Sequence, residues 1–137
     1  MTNKNDLVQQ IAILERDISK KINELLNPLG LNSNNYFYII KLDDNPNISQ
    51  KDFTPLVKLN QSSVTRSINS LVEQGLVKKD ISIDKRSQLL SLTEEGKSIA
   101  AEVKGKIDQL NQQLLLAAEK DSAYEIVKKM QNLLASN

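Results

Sequence analysis

Residues 60–92 read NQSSVTRSINSLVEQGLVKKDISIDKRSQLLSL, and the order of residue types in them decides the fold. Asn60 is placed as the N-cap of a helix from Gln61 to Gln74, because a short side-chain oxygen there can accept from a free backbone N–H of the first turn. At about 100° per residue, Val64, Ile68, Leu71 and Val72 fall on one side of that helix. Ser62, Arg66, Asn69 and Ser70 point the other way, with Ser63 and Thr65 on the flanks. Gly75 is a C′ stop and Leu76 its hydrophobic partner. Leu76 to Ile83 partly alternates and predicts a strand, Asp84 to Ser87 a charged turn, and Gln88 to Leu92 a return strand. A polar-faced helix, a glycine stop and a hairpin with a basic tip have the form of a recognition helix followed by a wing.

Ser49 begins the preceding helix, with Asp52 three residues on and Ile48 and Phe53 at the positions of a hydrophobic staple. That helix runs through Phe53, Leu56 and Val57, with Pro55 near its first turn. Lys58-Leu59-Asn60 is the turn, and two helices joined by three residues fit a helix-turn-helix. Upstream, Asn32 to Asn35 is a polar break before a short helix from about Ser33 to Asp43. Tyr36, Phe37 and Tyr38 stand together on it; such a cluster either fills core or lines a small-molecule pocket. Asp43 to Asn47 reads as a loop by its turn residues.

The two ends of the chain are helical. Leu7, Ile11, Leu14, Ile18, Ile22, Leu25 and Leu26 recur at spacings of mostly three and four, and Pro28 and Gly30 end that helix. Such a stripe serves either the helix's own core or a dimer. Thr93 caps a long helix with Glu94 and Glu95 in its first turn, where the helix dipole favours anions. Its stripe continues at Ile99, Val103, Ile107, Leu110 and Leu114. Gly96 and Gly105 are each expected to weaken it by about 1 kcal/mol relative to alanine. Ser122 and Glu125 form a capping box for a last helix bearing Ile126, Val127, Met130, Leu133 and Leu134.

Composition narrows the function classes. The chain has 137 residues, which suits one domain, and 39% hydrophobic with 26% charged residues is ordinary for a soluble protein. With no cysteine and no histidine, thiol redox switching, nucleophilic thiols and His/Cys zinc sites are excluded. No carboxylate pair or glycine-rich phosphate loop suggests an enzyme, and no cofactor or metal is expected. The first ten residues lack the apolar core of a signal peptide, and the longest apolar run, Leu114 to Ala118, is far short of the roughly 20 residues that span a bilayer. The expectation is a cytoplasmic protein without a membrane partner. Formal net charge is only +1, yet residues 58–90 hold six Lys or Arg against three Asp or Glu. A local basic surface is what a phosphate backbone requires.

The segment SSVTRSINSLVEQGLVKKDISIDKRSQLLSLTEEG resembles the core signature of the MarR family of bacterial winged helix-turn-helix regulators. The matching parts are Ser63-Val64-Thr65-Arg66, the run from Leu71 to Val77, Asp84-x-Arg86, and Leu92-Thr93-x-x-Gly96. The resemblance implies a mainly α fold of about six helices with a small β-hairpin wing. It implies a single MarR-type domain over 1–137, with a DNA-binding lobe at about 33–92. Helices at about 7–26, 94–118 and 122–135 would form the dimerisation part, so that the dimer helices occupy 7–26 and 94–135. The implied activity is that of a homodimeric repressor on a pseudo-palindromic operator, released by a small aromatic or anionic effector. Tyr36, Tyr38 and Arg16 are the effector-pocket residues chosen by type and by proximity in the family's architecture.

The DNA chemistry follows from residue type. A major groove admits one helix and offers hydrogen-bond donors and acceptors on base edges. Ser62, Ser63, Thr65, Arg66 and Asn69 supply short polar groups and a guanidinium for it. Arg66 suits either a guanine edge or a phosphate, while Ser63 and Thr65 suit phosphates. Arg86 at the wing tip suits a narrow minor groove, and Lys85 a nonspecific phosphate contact. Asp84 would repel phosphate; the family motif implies that it pairs with an arginine and shapes the hairpin. The competing expectation is a winged helix that binds another protein and no DNA, which the near-zero net charge motivates.

Overall fold

The structure, a computed structural model, describes residues 6–135. Six α-helices and a small sheet occur in the order α1 (Leu7–Leu26), a 3-10 turn (Asn27–Leu29), α2 (Tyr36–Asp44), β1 (Ile48–Ser49), α3 (Gln50–Val57), α4 (Gln61–Glu73), β2 (Val77–Ile81), β3 (Gln88–Leu92), α5 (Glu94–Leu115) and α6 (Lys120–Ala135). This is the mainly α winged helix-turn-helix expected. None of the described helices is long and apolar enough to cross a membrane.

Local chemistry places the helix ends. Asn60 Oδ1 accepts from the Ser63 N–H at 2.8 Å and opens α4; Ser49 Oγ accepts from the Asp52 N–H at 3.1 Å and opens α3. At the end of α4, Gly75 takes φ +80°, its N–H donates to Val72 O, and the Leu76 N–H reaches back to Leu71 O. That paired return is a Schellman stop, and only glycine enters its left-handed backbone without steric cost.

The sheet has a strand that periodicity did not reveal. Its order is β1-β3-β2, all antiparallel, with Ile48 opposite Leu90 and Ser49 opposite Leu89. Two residues are too short to show alternation, and the same two also serve as a staple position and a helix cap. Boundaries differ as well. The strand expected from Leu76 to Ile83 spans Val77–Ile81, because the Lys85 N–H already returns to Ser82 O and closes the turn. The helix expected from about Ser33 begins at Tyr36. Asn32 and Asn35 exchange side-chain and backbone hydrogen bonds (Asn32 N–H to Asn35 Oδ1, 2.8 Å), and the Asn23 amide oxygen takes the Ser33 N–H, so the break holds its own turn. The helix expected to reach 118 ends at Leu115, where three-residue returns from Leu116 and Ala117 close it. The last helix begins at Lys120, because the Ala123 N–H already bonds Glu119 O; Ser122 therefore lies inside the first turn rather than capping it.

The chain divides into two compact units, Met1–Lys104 and Gly105–Asn137, so the boundary falls within α5. In the first unit the core is built from Leu26, Leu31, Tyr38, Ile39, Leu42, Phe53, Val64, Ile68, Leu71, Val77 and Leu90, all buried. The expected inner face of α4 supplies three of these, and Val72 is half-buried. The C-terminal half of α1 belongs to the same unit through Ile22 and Leu26, while Leu7, Val8, Ile11, Ile13 and Leu14 in its first half are exposed. Lys104 ties α5 to the end of α2, with Nζ at 2.6 Å from Asp43 and 2.9 Å from Asp44. In the second unit, α6 buries none of its residues and leaves Tyr124, Ile126, Val127 and Met130 exposed.

Candidate nucleic-acid interface

Two arginines stand out because no ion pair or side-chain hydrogen bond among the described residues takes up their guanidinium groups. Arg66, on the outer face of α4, is exposed, and so is Arg86 at the tip between β2 and β3. None of the ion pairs among the described residues involves either. Burial of Val64, Ile68 and Leu71 fixes the rotation of α4, and that rotation turns Ser62, Arg66, Asn69 and Ser70 to solvent. Ser63 and Thr65 are half-buried on the flanks.

The flanking side chains have partners that sequence reading missed. Thr65 Oγ1 accepts from Gln50 Nε2 at 3.0 Å, which uses the hydroxyl as an acceptor and leaves its proton for a phosphate. Asn69 Oδ1 accepts from Lys79 Nζ at 2.5 Å. This places a lysine of β2 beside the recognition face and leaves the Asn69 amide N–H groups to donate. Lys78, by contrast, sits opposite Ser91 on the other face of the sheet.

The wing tip is held from within. Asp84 Oδ1 accepts from Ser82 Oγ at 2.5 Å and from the Arg86 N–H at 3.1 Å. The Ser82 hydroxyl and the Arg86 amide together hold the Asp84 carboxyl below its usual pKa. Ser82 N–H to Ser87 O and Lys85 N–H to Ser82 O close the turn, with Lys85 at φ +59°. Asp84 thus bonds a hydroxyl and a backbone amide of its own turn, and none of the ion pairs among the described residues joins it to the Arg86 guanidinium.

Between wing and helices runs a groove of about 430 Å³ lined by Gln50, Lys51, Thr54, Gln61, Arg86 and Gln88 among others. Lys51 and Arg86 bring two cations to its walls, and its glutamines offer both donors and acceptors. Sequence reading did not single out Gln50, Lys51, Gln61 or Gln88. Each is unremarkable in one dimension, and only the pairing of β1 with β3 brings α3 beside the wing.

The three effector-pocket residues do not share one site. Tyr36 is half-buried, burial raises its pKa, and it lines an apolar trough of about 280 Å³ with Ile11, Leu14, Glu15, Ile18 and Ile22. Tyr38 is core: it is 1% exposed, and its ring packs 5.8 Å from that of Phe53. Arg16 is exposed and is not part of the trough, whose charged group is Glu15, bonded to Ser19 Oγ at 2.8 Å. Tyr36 and Tyr38 both line a second hollow, with Phe37, Val57 and Leu59.

Known proteins share both the sequence and the architecture. The MarR family model matches residues 31–87. YwoH of Bacillus subtilis, an uncharacterised HTH-type transcriptional regulator, is 33% identical over 109 residues, covering 80% of each chain. The crystal structure of an S. aureus MepR–DNA complex superposes with a TM-score of 0.87 at 12% identity, covering 98% of this chain and 100% of that one. A mutant E. coli MarR complexed with operator DNA gives 0.82 at 20% identity, over 95% and 94%. At such identities the structural likeness speaks for the fold.

Proposed function

The chain belongs to the MarR family of transcriptional regulators, and from that premise we propose that it binds duplex DNA as a homodimer and represses transcription from a pseudo-palindromic operator. The observation that carries the reading is the pair Arg66 and Arg86, both exposed and both outside any ion pair among the described residues, with Arg86 lining a groove that also holds Lys51. In this reading α4 enters the major groove. Ser62, Arg66 and Asn69 meet base edges, while Ser63 and Thr65 donate to phosphates. Arg86 reaches the minor groove, Lys85 adds charge near the backbone, and Asp84 keeps the tip in shape. MepR and a mutant MarR, which share the fold, are each complexed with DNA, and this supports duplex DNA as the partner.

Homodimer formation is supported by the apolar side chains that one copy leaves exposed on the first half of α1 and along α6. Obligate dimer interfaces are of that apolar kind. Expression in the cytoplasm, where the DNA lies, is part of the same reading. So is an effector: the trough beside Tyr36 would take an aromatic molecule, and Glu15 favours a cationic group over a carboxylate there. Arg16 and Tyr38 would then act on it only from outside the trough.

Selection of bound sequences from random duplex DNA tests the core of the proposal. The expected product is a two-fold-related motif, bound with an affinity that falls steeply with salt. Arg66→Ala and Arg86→Ala should each weaken that binding and leave dimer and fold intact. Recovery of no enriched motif, or wild-type affinity in both variants, would refute it.

A further inference from the structure

The wing carries two large aliphatic side chains with nothing over them. Ile83 is fully exposed and Ile81 is 70% exposed. In the sheet order β1-β3-β2 they lie on and just beyond an edge strand, where bare apolar side chains invite aggregation unless something covers them. The tip that bears them is preformed by the Ser82–Ser87 and Lys85–Ser82 backbone bonds and by the Asp84 carboxylate. Register fixes the direction of Ile81, and Ile83 follows it in the turn. Ile81 stands opposite Gln88 and shares a sheet face with Lys79, which bonds Asn69 of α4, and with the buried Leu90 and Val77. The apolar edge thus begins on the side of the wing that faces the recognition helix.

We propose that Ile83, backed by Ile81, is an apolar contact of the wing with the minor groove of duplex DNA, packed on deoxyribose and base edges beside Arg86. The proposal rests on the reading that the wing meets DNA. Charge selects the occupant: Arg86 and Lys85 follow Ile83 within three residues, and the one acid between them, Asp84, is turned onto the Ser82 hydroxyl and the Arg86 amide. A cationic tip with an aliphatic side chain beside its charges fits a polyanion that has C–H-rich groove walls, and isoleucine is among the residues that other proteins insert into minor grooves. The contact carries sequence information. A G·C pair places the guanine N2 amino group in the minor groove, whereas an A·T pair presents only acceptors and leaves the floor open to a methyl group. Ile83 therefore biases the site towards A·T under the wing.

The test uses the full chain and the tightest duplex recovered by selection. Ile83→Ser is expected to lose about tenfold in affinity, about 1.4 kcal/mol, with an unchanged slope of log affinity against log salt. Arg86→Ala should instead reduce that slope by about 1. Ile83→Leu should stay within about threefold of wild type, and a G·C pair under the wing should weaken the wild type while leaving Ile83→Ser indifferent. Because Ile83 touches no core, its variants should melt with the wild type. Wild-type affinity in Ile83→Ser overturns the inference. So does a loss of self-association in sedimentation without a loss of DNA binding, which would make the occupant a protein. A wild-type chain that binds no duplex at all is a different failure and takes the functional reading with it.

Discussion

Gly96→Ala should destabilise the protein, although alanine is the better helix former. A Cβ at residue 96 would stand 2.1 Å from the Leu76 carbonyl oxygen, 3.0 Å from its carbon and 3.2 Å from Leu92 Cβ. Ordinary contact begins at 3.4 Å, so the start of α5 would have to retreat by about 1.3 Å. That retreat pulls on the Thr93 N–H bond to Leu76 O at 3.0 Å and on the Thr93 hydroxyl bond to Gly75 O at 2.6 Å. Overpacking of this kind costs about 1–3 kcal/mol, and each strained hydrogen bond adds about 1 kcal/mol. Relief of the glycine penalty returns about 1 kcal/mol. The balance is a loss of about 2–4 kcal/mol, or a fall in melting midpoint on the order of 10 °C. Urea unfolding at one fixed protein concentration measures it, since a dimer's midpoint depends on concentration. Gly105→Ala is the control: nothing lies within 4 Å of its Cβ position, so it should stabilise by about 0.5–1 kcal/mol. If Gly96→Ala proved as stable as wild type, the close approach of α5 to Leu76 would not be the reason for glycine there.

Other expectations are smaller. Lys58 holds φ +55° at the turn between α3 and α4, so Lys58→Gly should raise unfolding free energy by up to about 1 kcal/mol, because left-handed backbone costs other residues about 1–2. Thr65→Val removes the acceptor of Gln50 Nε2 and should cost about 1 kcal/mol in chemical denaturation, with a parallel loss of DNA affinity at low salt. The Asp84 carboxyl has a lowered pKa in the fold, so what it contributes is present above the ordinary carboxylate value and is lost as pH falls through the folded one. Asp84→Ala should accordingly loosen the tip at neutral pH, seen as faster amide exchange at Arg86, and should change little once the wild type is acidified. Lys104 has a raised pKa from Asp43 and Asp44, so its contribution is full below the ordinary lysine value and is lost as pH rises through the folded one. Lys104→Met should narrow the gap to wild type on alkaline titration.

What the chain disclosed in one dimension, and what it withheld, divides along a physical line. Asn60, Ser49 and Thr93 cap their helices because a cap is a contract between neighbours three residues apart. The face of α4 followed from period alone, and burying Val64, Ile68 and Leu71 necessarily exposes Arg66. Three of the misses involve partners distant in sequence. Gly96 read as a weak point in a helix, and is instead where α5 comes down on a carbonyl twenty residues earlier. Gln50 read as a helix residue, and is instead the donor that orients Thr65 fifteen positions on. Tyr38 stood open between core and pocket, and its neighbour in space is Phe53, which puts the ring in the core. The hydroxyl of Thr93 shows how the two kinds of contact meet: it accepts from the Gly96 N–H as a local cap and donates to Gly75 O across the fold. The glycine stop of the recognition helix and the first turn of α5 thus share one hydroxyl. A displacement of the start of α5 is felt first at Gly75, the end of the helix that carries Arg66.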